Sequence, residues 1–140
     1  MTEQRRSKNM AGTSAAAFVT RVSPWSVSTT IARLGAVVAA RDMKLFAVID
    51  LGAVARSDQV RSADTRLVMF GNPSGAASEI AATPLAALDL PLRVVIWEDG
   101  YETKIGYMTP NGLATRDRSS GKLVAWLSAM EAVIDSVIDR

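Results

Sequence analysis

The sequence predicts an α+β fold: a single mixed β-sheet of about five strands with amphipathic helices packed mainly on one face. Three observations predict it. Short apolar stretches of strand length alternate with segments whose apolar residues recur at helical spacing. The Asp99-Gly100 pair reads as a two-residue turn that makes the last two strands an antiparallel hairpin, which argues against an all-parallel, doubly wound sheet. The first and last helices each carry one apolar face, so each calls for one layer beneath it.

The elements follow in order. Ala15 to Val22 is apolar with some alternation and stops at Ser23-Pro24, as a first strand does. Ser26 is placed to cap a helix from about Val27 to Arg41, because Val27, Ile31, Leu34 and Val38 form one stripe, with Arg33 and Arg41 off it. Met43 to Ile49 is a second strand ended by Asp50-Leu51-Gly52, and a short helix is expected over Ala53 to Asp58. Thr65 to Phe70 is a third strand. Gly71 to Gly75 reads as a tight loop leading to a helix over Ala76 to Ala82, which Pro84 breaks before one further turn through Leu88. Leu92 to Glu98 and Thr103 to Met108 are the hairpin strands, the second ended by Pro110-Asn111-Gly112. Ser119 or Ser120 caps a last helix whose Leu123, Trp126, Leu127, Met130, Ile134 and Val137 make a wide apolar face. Counting across Asp99-Gly100 pairs Trp97 with Glu102 and sets Tyr107 opposite Leu92, so both aromatics read as packing residues rather than as a clamp.

A chain of 140 residues with 49% hydrophobic and 21% charged residues has the size and composition of one packed domain, expected over residues 15–140. Residues 1–14 read as a disordered basic tail, with Met10 an alternative start. Arg5, Arg6 and Lys8 against Glu3 carry the whole net charge of +2, so the body is neutral and the pI of 9.3 is no sign of nucleic-acid binding. The chain has no cysteine and no histidine. Disulfides, thiolate metal sites, thiol nucleophiles and His-assisted nucleophiles are thereby excluded, and neither a metal nor a cofactor is expected. An export signal after Arg5-Arg6 is interrupted by Gly12, Thr13 and Ser14, and no apolar run reaches membrane-spanning length. A cytoplasmic location without a membrane partner is the expectation.

Several segments together carry a family pattern: Ser23-Pro24-Trp25-Ser26-Val27, Phe46-Ala47-Val48-Ile49-Asp50, Leu67-Val68-Met69-Phe70-Gly71-Asn72-Pro73, and Pro84-Leu85-Ala86-Ala87-Leu88-Asp89-Leu90-Pro91-Leu92-Arg93 leading to Trp97-Glu98-Asp99. From about Val19 to the C-terminus the chain resembles the bacterial and archaeal domain of unknown function 302 family. The resemblance implies a compact α+β fold, often dimeric, without an established activity. It also marks departures. Asp50-Leu51 stands where the family pattern has Asp-His, and Ala76-Ala77 stands where it has Gly-Thr, so chemistry that needed those polar groups is in doubt for this chain.

Candidate site residues cluster at two places. Gly71, Asn72, Ser74 and Gly75, after Phe70, lie between a strand and a helix, where backbone amides can bind a phosphate, a carboxylate or an oxyanion. The same residues equally make an ordinary turn, and no Lys-Ser/Thr pair follows to form a nucleotide loop. Asp50 would lie near that loop if the second and third strands are neighbours, or it is a helix cap. Glu98, Asp99 and Glu102 read as a solvated turn, and Glu131, Asp135 and Asp139 as one acidic face turned to water or a basic partner. The leading functional expectation is a small-molecule binding or accessory protein, homodimeric, with its pocket lined by Asp50 and Phe70 to Gly75. A cofactor-independent enzyme would use Asp50 as acid or base beside the loop amides. A structural or protein-interaction module would show no pocket and a large exposed apolar patch.

Overall fold

The computed structural model describes residues 18–82, 84–85, 92–108 and 121–139, the side chains of residues 75, 76, 79 and 121–127 excepted. Ala15 to Ala17, the tail, Ala86 to Leu88, Pro110 to Gly112, Ser119 and Ser120 lie outside the described residues, as do the side chains of Leu123, Trp126 and Leu127.

The chain runs β1 (Phe18–Ser23), α1 (Val27–Ala40), β2 (Lys44–Asp50), α2 (Leu51–Ser57), β3 (Thr65–Gly71), α3 (Pro73–Ala82), β4 (Leu92–Asp99), β5 (Glu102–Met108) and α4 (Gly121–Ile138). The five strands form one sheet in the order β1-β5-β4-β3-β2. The α+β class and the single sheet are those expected, but every pairing is antiparallel where a mixed sheet was anticipated. Parallel strands do exist in it: β1 and β2 run the same way but stand at opposite edges, never as neighbours. The connection between them is α1. Its 14 residues span about 21 Å at 1.5 Å per residue, and four strand spacings come to about 19 Å, so the helix can cross the width of the sheet.

Helix α1 starts where Ser26 caps it, the side chain accepting from the Thr29 amide, and buries Val27, Thr30, Leu34 and Val38 on one face. Helix α4 lies beside it and buries Met130, Val133, Ile134 and Val137. The two pack on the same side of the sheet, against Val68, Phe70, Leu92, Val94, Ile96, Ile105 and Tyr107. At the junction the buried hydroxyls of Ser23 and Thr30 meet at 2.7 Å, which satisfies two polar groups inside the core.

Two of the boundaries that differ from expectation bear on the candidate site. The β4–β5 turn is Gly100-Tyr101, with Asp99 paired to Glu102. Gly100 has φ +64° and Tyr101 is not among the positive-φ residues, so the positive φ falls on glycine, as a turn with Gly first allows; a turn centred on Asp99-Gly100 would place Asp99 there. The register moves accordingly, and Trp97 faces Lys104 rather than Glu102. Trp97 and Tyr107 therefore project from opposite faces of the sheet. The second difference lies after β3. Helix α3 begins at Pro73, not at Ala76, so Ser74 and Gly75 belong to its first turn; proline suits that position because the first helical amides have no intrahelical acceptor.

Candidate functional site

The sheet register separates the residues the sequence placed together. Strands β2 and β3 are neighbours, but they are antiparallel, with Asp50 opposite Arg66 and Lys44 opposite Gly71. Arg66 and Gly71 are five positions apart along β3, about 17 Å of strand. Asp50 and the Gly71–Asn72 turn thus sit at opposite ends of the pair. Asp50 caps α2: its Oδ1 accepts from the Ala53 amide at 2.9 Å, while Arg66 Nε approaches Oδ2 at 3.6 Å and binds Asp64 at 2.9 Å. Phe70 is fully buried beneath the helices, and Gly71 is buried in the sheet. Asn72 and Ser74 are exposed, with Gly75 inside α3.

A concavity forms elsewhere, on the sheet face opposite α1 and α4. One cross-strand row on that face runs Thr20, Gly106, Val95, Leu67 and Ile49 through all five strands. The middle of the row is low because Gly106 has no side chain, and the Trp97 ring leans over it: a Cβ placed on Gly106 would meet Trp97 at 3.1 Å and Val95 at 3.2 Å. An aromatic covering a glycine across strands in this way keeps the ladder protected where no side chain stands. Around this point is a cavity of about 490 Å³, whose lining on the open face includes Phe18, Thr20, Leu67, Arg93, Val95, Trp97, Gly106 and Met108. It is in the size range of small-molecule sites. The lining is chiefly apolar, and Phe18 is 60% exposed at its edge.

The lining also includes Val19, Leu92, Tyr107 and Met130, whose side chains belong to the helix-covered side. Tyr107 is 4% exposed, and among the described residues its buried Oη has no hydrogen bond of good geometry, with the Arg21 guanidinium close by. Burial pushes the Tyr107 hydroxyl above its ordinary pKa, opposed by the nearby Arg21 guanidinium, while Glu131 and Asp135 push it further up. Arg21 itself is held by Asp135 at 2.8 Å, and that bond raises the Arg21 pKa. Asp135 therefore finds its basic partner within the chain. At the hairpin, Asp99 is likewise bonded by Lys104 Nζ at 2.7 Å.

Reading by residue type missed this cavity because none of its lining residues belongs to a chemical motif. One signal was present: a glycine inside a strand marks a close approach of something over the backbone, and Gly106 is such a residue.

The fold and the cavity define a small α+β protein whose helices cover one sheet face and leave an apolar hollow on the other. The chain belongs to the DUF302 family, described as a domain of unknown function, whose sequence profile matches residues 19–139. The crystal structure of an uncharacterized conserved DUF302 protein from Bacillus stearothermophilus is similar, with a TM-score of 0.71 at 19% identity over 87% of this chain and 95% of that one. That likeness carries the fold. The chain is also similar to the fluoride-specific ion channels FluC 1 of Brucella suis and FluC 1 of Brucella abortus, each 36% identical over 83 residues. The match takes in 59% of this chain but 33% and 31% of those proteins, so it spans about a third of the relatives' length.

Proposed function

We propose that the chain is an accessory, ligand-binding domain that holds a mainly apolar small molecule in the hollow over Gly106. The observation that carries the reading is the cavity of about 490 Å³ whose lining includes Leu67, Val95, Trp97 and Gly106 on the sheet face away from α1 and α4. Apolar lining excludes water at little cost and gains from covering, which is the physical basis of such sites. The accessory part of the reading is supported by the relatives. No helix among the described residues is long and apolar enough to cross a membrane, and the reading takes the stretch shared with proteins named as ion channels as a part that accompanies the channel. An acid–base enzyme built on Asp50 and the Asn72 turn has no such support, since the register sets the two far apart.

Uptake of N-phenyl-1-naphthylamine, a neutral apolar fluorophore, tests the reading. Wild-type protein takes it up saturably with a fluorescence gain. Val95→Glu, which sets a charge in the middle of the hollow, loses that uptake by at least about tenfold while keeping the wild-type circular dichroism. Wild-type protein that leaves the fluorophore dark contradicts the reading.

The edge strand β1 favours a second reading, self-association as a homodimer. Phe18 and Val22 are exposed on it, and its outer backbone edge has no partner strand among the described residues. Sedimentation equilibrium decides between monomer and dimer, and Phe18→Lys is expected to shift a dimer toward monomer.

A further inference from the structure

Arg93 stands on the open face of the sheet, paired with Met69 and two positions from Val95, while the intervening Val94 is buried under the helices. Among the described residues it is the one charged side chain that lines the hollow. Trp97 lies four positions further along the same strand, about 13 Å away, with Val95 and its partner Gly106 between them. We propose that the hollow selects a molecule with a hydrocarbon or aromatic body and a single carboxylate, the carboxylate on Arg93 and the body over Gly106 against the Trp97 ring. The inference rests on the apolar-ligand reading and gives that ligand its chemical class.

The charges of the open face are distributed so that an anion is favoured at this end. The carboxylates carried by its described strand residues, Asp99 and Glu102, face each other across the hairpin, six positions from Arg93, or about 20 Å. That exceeds the screening length of about 8 Å at physiological salt. Asp99 is in addition bonded by Lys104 at 2.7 Å, so the Trp97 end presents a compensated pair and not a cation. Arg93 also interacts within the chain, and a guanidinium has five N–H donors, so a further acceptor can join it. A carboxylate meets the guanidinium fork as a bidentate pair and brings one charge. A phosphate monoester would bring nearly two charges against that one cation, in an apolar surround. The rest of the open-face lining, with Leu67, Val95, Trp97 and Met108, suits the hydrocarbon or aromatic body.

The test displaces bound N-phenyl-1-naphthylamine with 4-butylbenzoate, 4-butylbenzylammonium and 4-butylphenyl phosphate, which share one body and differ in the head. At low ionic strength the carboxylate is expected to displace at about fivefold to tenfold lower concentration than the ammonium, the range that a charge-assisted bond to an exposed cation supplies. Arg93→Gln brings the two to parity, Arg93→Lys retains a smaller preference for the carboxylate, and Arg93→Glu inverts it. Each ratio is taken within one protein, so a change in fluorophore affinity cancels. Equal displacement by carboxylate and ammonium in the wild type, or a carboxylate preference that survives in Arg93→Gln, overturns the assignment to Arg93 and leaves the apolar reading standing. Stronger displacement by the phosphate than by the carboxylate overturns the choice of head group. Failure of the wild-type protein to take up the fluorophore overturns the underlying reading as well.

Discussion

The Asp50 carboxylate is engaged on both oxygens, one by the Ala53 amide and the other by the approach of Arg66. Capping of this kind is worth about 1 kcal/mol, and the half-exposed ion pair adds little beside it. Asp50→Ala is accordingly expected to lower stability in urea by about 1 kcal/mol without altering fluorophore uptake, and Asp50→Asn, which keeps a capping oxygen, to lower it by a few tenths. A loss of uptake in either variant would tie Asp50 to the ligand after all. Gly106 makes the opposite case, because its contribution is the absence of atoms. A residue-by-residue search for chemistry passes over it, yet the Trp97 ring and the depth of the hollow both depend on it.

Among the elements, α4 shows how a helix end is tied down by residues far away in sequence. Arg33 of α1 donates from Nε to the Val137 carbonyl at 2.9 Å and from Nη2 to the Asp139 carbonyl at 2.8 Å. Trp25 adds its indole N–H to the same Val137 oxygen at 3.2 Å, and the Arg33 guanidinium lies 4.4 Å from the Trp25 ring centre. The last carbonyls of a helix have no partner inside it, so these bonds satisfy groups that would otherwise need water. Arg33→Ala removes two charge-assisted bonds and a cation–π contact, and a loss of about 2 kcal/mol is expected in chemical denaturation. Arg33→Lys is expected to recover less than half of it, because an ammonium lacks the planar fork that reaches both carbonyls. In the sequence Arg33 is visible only as a charge off the apolar stripe.

For the whole molecule, the lack of histidine and cysteine has a direct consequence for stability against pH. No side chain has an ordinary pKa between about 5 and 9, so stability is expected to be level across pH 6 to 9. Above that the sign is set by groups whose folded pKa is raised. Tyr107, ordinarily at 10.0, is pushed up by burial against the counter-pull of Arg21, and Lys104, ordinarily at 10.5, is pushed up by its bond to Asp99. The unfolded chain releases these protons first, so stability is full below about pH 10 and falls as the pH rises through the folded values. Urea midpoints measured from pH 8 to 11 check this, and Tyr107→Phe is expected to fall less steeply. The order of strands and helices, the Ser26 cap and the buried stripe of α1 were legible from the chain, because propensity, capping and periodicity act over a few neighbouring residues. The pairing of strands was not, because it depends on contacts between distant segments. Antiparallel β2 and β3 part Asp50 from Asn72, and a row drawn from five strands brings Thr20, Gly106, Val95 and Leu67 to one hollow. Local chemistry in the chain thus suffices for its elements and its apolar faces; where a ligand can sit is decided only when the sheet closes its register and the helices take one face and leave the other.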